Sequence, residues 1–260
     1  MRKVIYTCLV GKYEELLQPL VIDPTFDYIC FSNDITENKI GVWKILPIPC
    51  KISDNIRLSR YVKLLPHNTL SNYDYSLWLD ANIQITGQEL YNIFNEKVSE
   101  GGLIYQVPHL FPPEDCVYDE IRHAYLCGRC GIIETLEQYI YLKKSAFPNH
   151  FGLFENNIIL RKHNDSLVIK ISEGWWDEFS HYTKRDQFSL MYLYWKNNFY
   201  PNYLFGKKQN ARNVDFLCWQ HHAKDRGPHS LYWKLHIYYR LSIRKIFVHL
   251  FNIVDRLYMK

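Results

Sequence analysis

Tyr75-Ser76-Leu77-Trp78-Leu79-Asp80-Ala81-Asn82-Ile83-Gln84-Ile85 is the stretch on which the reading of this chain turns. Five mostly apolar residues follow the turn Asn72-Tyr73-Asp74 and stop abruptly at an aspartate and an asparagine. A short apolar run bounded by turn residues predicts a buried strand. A central strand that exits into acidic and amide side chains is how an open α/β sheet presents a site, because ligands collect beyond the carboxyl ends of its strands. Asp80 and Asn82 stand two residues apart, so in an extended turn both point to one side and can reach one hard cation. The bare spacing also suits a turn or a helix N-cap. Its place directly after a buried strand favours the cation.

Working outward, residues 4–10, 28–31 and 42–46 are β-rich runs separated by turn and helix signals, and Pro47 ends the third. That order predicts βαβ units, a mainly parallel sheet with flanking helices, and a single Rossmann-like α/β domain. Residues 55–65 predict a helix with Arg57, Arg60 and Lys63 on it, stopped by Pro66. Downstream, strands are expected at 103–107 and 157–160, helices near 120–123, 136–144 and 187–195, and a Trp-rich stretch at Trp175-Trp176. There is no internal repeat and no low-complexity linker.

With 260 residues, 47% hydrophobic and 16% aromatic, the chain can bury a substantial core without a disulfide scaffold. Seven scattered cysteines fit reduced thiols in a cytoplasm. The run after Met1-Arg2-Lys3 stops at Gly11 and reads as a strand, not as a signal peptide. The net charge of +4 is uneven: residues 221–260 hold eight Lys or Arg against Asp225 and Asp255, which leaves the rest slightly acidic. A nucleic-acid-binding protein would spread basic residues over the fold, so no nucleic-acid partner is expected.

Several segments resemble a known family when taken in order: Tyr6-Thr7 with Gly11-Lys12-Tyr13, Phe31-Ser32-Asn33-Asp34, the basic helix, residues 76–82, Phe154-Glu155-Asn156-Asn157, and Arg185-Asp186-Gln187. Residues 76–82 are similar to the metal-binding D-x-D-like element of GT-A-type glycosyltransferases. The whole series, across residues 1–222, resembles the glycosyltransferase-like domain of the TOD and MUCI type and its bacterial polysaccharide-biosynthesis relatives. The resemblance implies a GT-A-like fold and transfer of a sugar from a nucleotide-sugar donor to a saccharide or lipid-linked acceptor, with Mn2+ or Mg2+. Residue by residue, it implies that Tyr6, Thr7 and Tyr13 flank the nucleoside and that Asp34 accepts a hydrogen bond from the base. Arg57, Arg60 and Lys63 would lie near the phosphates. Asp80, Asn82 and the late His222 would hold the metal, Asn156 and Asn157 would face the sugars, and Asp186 with Gln187 would meet the transferred sugar. Asp186 and Glu155 are the candidate catalytic carboxylates.

Other readings stay open for several of these residues. Arg57 and Arg60 also suit a solvated helix face, and Asp186 suits an acid at a helix start, stabilised by the helix dipole. His221 and His222 suit a surface or core-edge position. Cys127-Gly128-Arg129-Cys130 with His123 lacks the second paired element of a zinc site and reads as two thiols at a helix end. The asparagine at position 82, where the family pattern has a second acid, keeps a non-catalytic glycan-binding or assembly module as the alternative. Residues 223–260 form a basic, aromatic, amphipathic tail. It suits either a peripheral anchor on an anionic membrane or a final helix packed on the core or on a second subunit.

Overall fold

The computed structural model describes residues 1–11, 15–112, 115–220 and 231–258, the side chains of residues 231–240 and 243 excepted. The chain runs β1 (Lys3–Cys8), β2 (Asp27–Phe31), β3 (Lys39–Ile40), β4 (Trp43–Leu46), α1 (Asn55–Leu64), α2 (Pro66–Thr69), β5 (Tyr75–Leu79) and β6 (Ile83–Ile85). It continues through α3 (Glu89–Glu100), β7 (Ile104–Pro108), α4 (Val117–Leu126), α5 (Ile132–Lys144), β8 (Phe154–Arg161) and α6 (Ser166–His181). Last come α7 (Gln187–Lys196), β9 (Asn202–Tyr203), β10 (Leu217–Trp219) and α8 (Leu231–Tyr258).

Eight strands form one sheet in the order β3, β4, β2, β1, β5, β8, β7, β9, and β10 pairs with β6 beside it. Strands β4, β2, β1 and β5 are mutually parallel, as expected. β8 runs against both β5 and β7. Its first residues therefore lie at the edge where β5 and β7 end, beside Asp80.

Both faces of the sheet are buried, which explains why β1, β2 and β5 are mostly apolar and do not alternate regularly with polar residues. Val4, Tyr6, Ile29, Phe31 and Trp78 face one core, shared with α1, α4, α5, α6 and α7. Ile5, Tyr28, Cys30, Leu77 and Leu79 face the other, shared with α3 and the segment around Leu204 to Leu217. Helix α1 starts at Asp54, whose carboxylate accepts from the Ile56 and Arg57 amides at 2.9 and 3.1 Å, and buries Leu58 and Val62. Helix α6 holds Gly174, where a Cβ would stand 2.5 Å from Leu193 Cδ1; the missing side chain lets α6 and α7 approach closely.

The tail has one face on the protein. Phe251 is fully buried, its ring 5.0 Å from Tyr139 and 5.9 Å from Tyr125. Asp255 pairs with Arg122, with Lys143 at 3.1 Å, and with the Tyr139 hydroxyl at 2.8 Å. Arg244 donates to the carbonyls of Tyr125 and Cys130 at 2.6 and 2.9 Å, near the end of α4, where the helix dipole favours a cation. The packing alternative for the tail thus has direct contacts behind it.

Candidate active site

Strand β5 ends at the carboxyl edge of the sheet, where its sequence places it. The Asp80 amide donates to the Asn157 carbonyl at 2.9 Å, which locks the exit of β5 to β8. One carboxylate oxygen of Asp80 accepts from Trp78 Nε1 at 2.7 Å and faces Lys63 Nζ at 3.3 Å. The Lys63 side chain is only 2% exposed, and its ammonium also lies 2.7 Å from Asp186 Oδ2. Arg60 Nε completes the cluster, 3.2 Å from the same oxygen. Two cations from the end of α1 thus meet two carboxylates, one from β5 and one from the start of α7.

A buried charge survives only when paired. Burial pushes the Asp186 carboxyl up, but Lys63 and Arg60 outweigh it and hold the group well below the usual carboxylate range. Beneath the cluster, buried Arg161 of β8 donates to the Tyr6 hydroxyl and, at 2.6 Å, to the Lys63 carbonyl in the last turn of α1. That bond satisfies a helix-end carbonyl and fixes Lys63 from its own backbone.

A second carboxylate, Glu155 on β8, sits two residues from Asn157. It accepts from Asn157 Nδ2 at 2.6 Å, from Asn210 Nδ2 at 3.1 Å, and from Arg212 Nη1 with both oxygens, at 2.7 and 2.6 Å. Register between β7 and β8 slips between Gln106 and Val107, opposite this segment. Such bulges re-aim side chains next to sites. Asn156 accepts from Gln106 Nε2 at 2.9 Å, and its own Nδ2 has no partner among the described residues.

A model of the TOD1/MUCI70 glycosyltransferase-like domain matches residues 20–210. The chain belongs to that family. The class expected from the sequence, glycosyltransferase, is the one its description carries. Among solved structures, this TOD1/MUCI70 domain is similar to the galactosyltransferase LgtC in complex with donor and acceptor sugar analogs. Identity is 13%, coverage is 73% of this chain and 69% of LgtC, and the TM-score is 0.40. An active-site mutant of LgtC gives 12% identity, the same coverages and the same score. The bifunctional glycosyltransferase WbbM shares 10% identity over 78% of this chain and 38% of its own, with a TM-score of 0.43. No curated protein matches the chain.

Not every expected residue of this TOD1/MUCI70 domain reaches the cluster. Tyr6 is fully buried, its ring 5.2 Å from Trp78, so it is a wall of the core under the site and does not flank a nucleoside. Thr7 points to the other face and lines a small hollow with Leu17, Trp43, Leu79, Asp80 and Ala81; its buried hydroxyl has no partner among the described residues. The Asp34 carboxylate is exposed and accepts from the Gly11 amide. Arg57 donates to the Ser180 carbonyl at 3.1 Å, neither free in solvent nor in the cluster. Lys63 spends its charge on carboxylates, because the end of α1 carries it inward under Asp80. Gln187 donates to the Phe154 carbonyl at 3.2 Å. Asp186 precedes α7, but its side chain makes no capping bond; it turns to Lys63 and Arg60. Tyr13 and His222 lie outside the described residues. Cys127 ends α4 with His123 at 3.4 Å, as two-thiol helix-end chemistry would have it.

Sequence reading missed Arg161, Asn210 and Arg212. Arg161 sits inside an apolar strand where only a buried partner explains a guanidinium. Asn210 and Arg212 lie in a turn-rich segment whose single signal is Asn210-Ala211-Arg212-Asn213, common in any loop.

Proposed function

We propose that this domain transfers one sugar from a nucleoside diphosphate donor to a saccharide or lipid-linked acceptor in surface polysaccharide biosynthesis. The observation that supports this most is the four-charge cluster of Arg60, Lys63, Asp80 and Asp186 at the end of the central strand. In the transfer, an acceptor hydroxyl oxygen replaces the diphosphate oxygen on the anomeric carbon, and its proton leaves with the diphosphate. Positive charge builds on the sugar ring as the old bond breaks. A carboxylate held ionised by two cations is a poor proton acceptor but a fixed negative charge, so Asp186 stabilises that ring electrostatically. Glu155, saturated by Arg212, Asn210 and Asn157, holds the acceptor side in place.

Among the described residues no group of three His, Cys, Asp or Glu is gathered for a metal. Asp80 nevertheless suits one: its side chain is 29% exposed, and only Oδ1 is engaged by Trp78 and Lys63. Asn82 adds a neutral oxygen, its Nδ2 fixed on the Gln220 carbonyl at 2.8 Å. One or two protein oxygens completed by substrate phosphates is the usual arrangement for Mg2+ or Mn2+, with His222 as a further candidate. Held there, the cation would neutralise the leaving diphosphate.

The test is calorimetry with a panel of nucleoside diphosphate sugars, with and without manganese. Asp80→Asn keeps acceptors for Trp78 and Lys63 and is expected to reduce the manganese-dependent affinity at least tenfold. An unchanged manganese effect removes Asp80 from the site. Asp80→Ala also orphans the Trp78 N–H, at about 1–3 kcal/mol, so the amide variant is the cleaner one.

The localisation we propose is cytoplasmic and peripheral, on an anionic membrane face. Ile246, Leu250, Ile253 and Leu257 form one exposed stripe on α8, with exposed Lys245 and Arg256 beside it. No described helix is long and apolar enough to cross a membrane. Of the aromatic and basic residues of the tail, Phe251 and Arg244 are used on α4 and α5, and the side chains of Trp233, Tyr238 and Arg240 lie outside the described residues. Flotation on anionic vesicles should fall when Ile246, Leu250 and Ile253 become serine and as salt rises. Binding that survives both assigns the stripe to a protein partner.

A further inference from the structure

Arg212, in a segment whose local pattern points to nothing, is surrounded in an unusual way. Glu155 takes its Nη1 with both oxygens. Its guanidinium carbon lies 4.8 Å from the Trp219 ring centroid and 5.4 Å from that of Phe111. Phe111 is 54% exposed. Beside them Arg212, Trp219, Thr86, Asp215 and Leu217 line a surface cleft of about 580 Å3.

The topology places this cleft on the opposite side of Asp80 from the Thr7 hollow. In the sheet, β5 has β1 on one side and β8 on the other. Thr7 is on β1, whereas Glu155, which holds Arg212, is on β8. Trp219 ends β10, which pairs with β6 directly after Asn82. The Gln220 amide donates to the Asn82 carbonyl at 2.9 Å, and Asn82 Nδ2 returns a bond to the Gln220 carbonyl. Both walls of the cleft are thus tethered to the Asp80 turn.

We propose that Phe111, Arg212 and Trp219 form the platform for the acceptor's sugar unit, and that this unit is an uncharged pyranose. Assigning the platform to the acceptor rests on the glycosyl-transfer reading above. Aromatic faces carry negative quadrupole charge and attract the polarised C–H face of a sugar ring. The exposed remainder of the Arg212 fork donates to ring hydroxyls, the pattern of an apolar wall with a few fixed polar groups. Glu155 cancels the Arg212 charge and Asp215 adds an acid to the rim, so a carboxylated or phosphorylated sugar meets no net positive field.

The experiment uses the full chain on an array of neutral and anionic oligosaccharides, beside nucleotide-sugar binding by calorimetry. Phe111→Ala, at an exposed position, and Trp219→Leu are each expected to weaken neutral-glycan binding at least tenfold. Donor affinity should stay within twofold, and Trp219→Phe should recover most of the loss. Unchanged glycan binding in Phe111→Ala and Trp219→Leu overturns the platform, as does a wild-type protein that binds only anionic glycans or none. Neutral-glycan binding that depends on Trp219 in a protein that binds no nucleotide sugar keeps the platform and sinks the transfer reading.

Discussion

Replacing Lys63 with methionine is expected to lower the unfolding free energy by about 3–5 kcal/mol, the cost of leaving a buried charge without its partner. Methionine keeps most of the side-chain volume, so the loss reports the charge and not a cavity. Asp186, whose side chain is 12% exposed, and Asp80 would then face each other with Arg60 as the sole cation of the present pair. Denaturant titration of the variant measures the change. A loss under about 1 kcal/mol, the range of exposed pairs, shows that the cluster is solvated. The double variant Lys63→Met, Asp186→Asn should recover part of the stability, since it removes the orphaned charge as well. The pH dependence follows from the lowered Asp186 carboxyl, whose reference value is 3.8. Below that value the unfolded chain binds the proton more readily than the folded one. The stabilisation is therefore complete above pH 3.8 and is lost as pH falls toward the folded value. Asp186→Asn should flatten that acid limb.

Asp186→Asn should also lower turnover by about a hundredfold or more, while donor affinity changes by less than about threefold. The amide keeps size and hydrogen-bonding atoms but removes the negative charge set against the developing positive ring. An interaction made mainly in the transition state shows in kcat, not in ground-state binding. Single-turnover rates and calorimetric donor affinities, taken where the variant is fully folded, separate the two. Equal losses in both would make Asp186 a residue that shapes the donor pocket.

What could be read from the sequence was whatever follows from local pattern. The apolar run 75–79, the abrupt Asp80, and helix α1 with its Asp54 start each announce themselves within a few residues, and the structure has them. So did the helix at Gln187, although reading alone could not say whether Asp186 capped it or left it. Deciding that required Lys63, which arrives from a distant helix. Tyr6 misled because a tyrosine on a strand near a site reads the same whether its hydroxyl meets a ligand or, as here, Arg161. Helix α6 carries a local signal of its own, Asp165 before Val168, Ile171, Trp175 and Phe179 at helical spacing, which reading the stretch only as Trp-rich passes over, while the reason for Gly174 lies in α7. The Glu155 and Arg212 pair was invisible for the same reason: its meaning is a contact between residues far apart in the chain.

The charge cluster also constrains how the chain can come to be folded. Strands β1, β2, β4 and β5 and helix α1 precede residue 80, so most of the parallel half of the sheet is available early in synthesis. Lys63 belongs to that half, yet one of its two carboxylates lies roughly 120 residues later, which at the ordinary pace of translation is a delay of about 6–25 s. Arg161 and Glu155 arrive within that interval, and Arg212 only after it. Burial of Lys63 in its final position therefore waits on distant sequence, and closing such long-range contacts is slow. An early fragment carries an open strand edge at β5 and an ammonium matched by Asp80 alone, and the four-charge cluster can close only once α7 has been made.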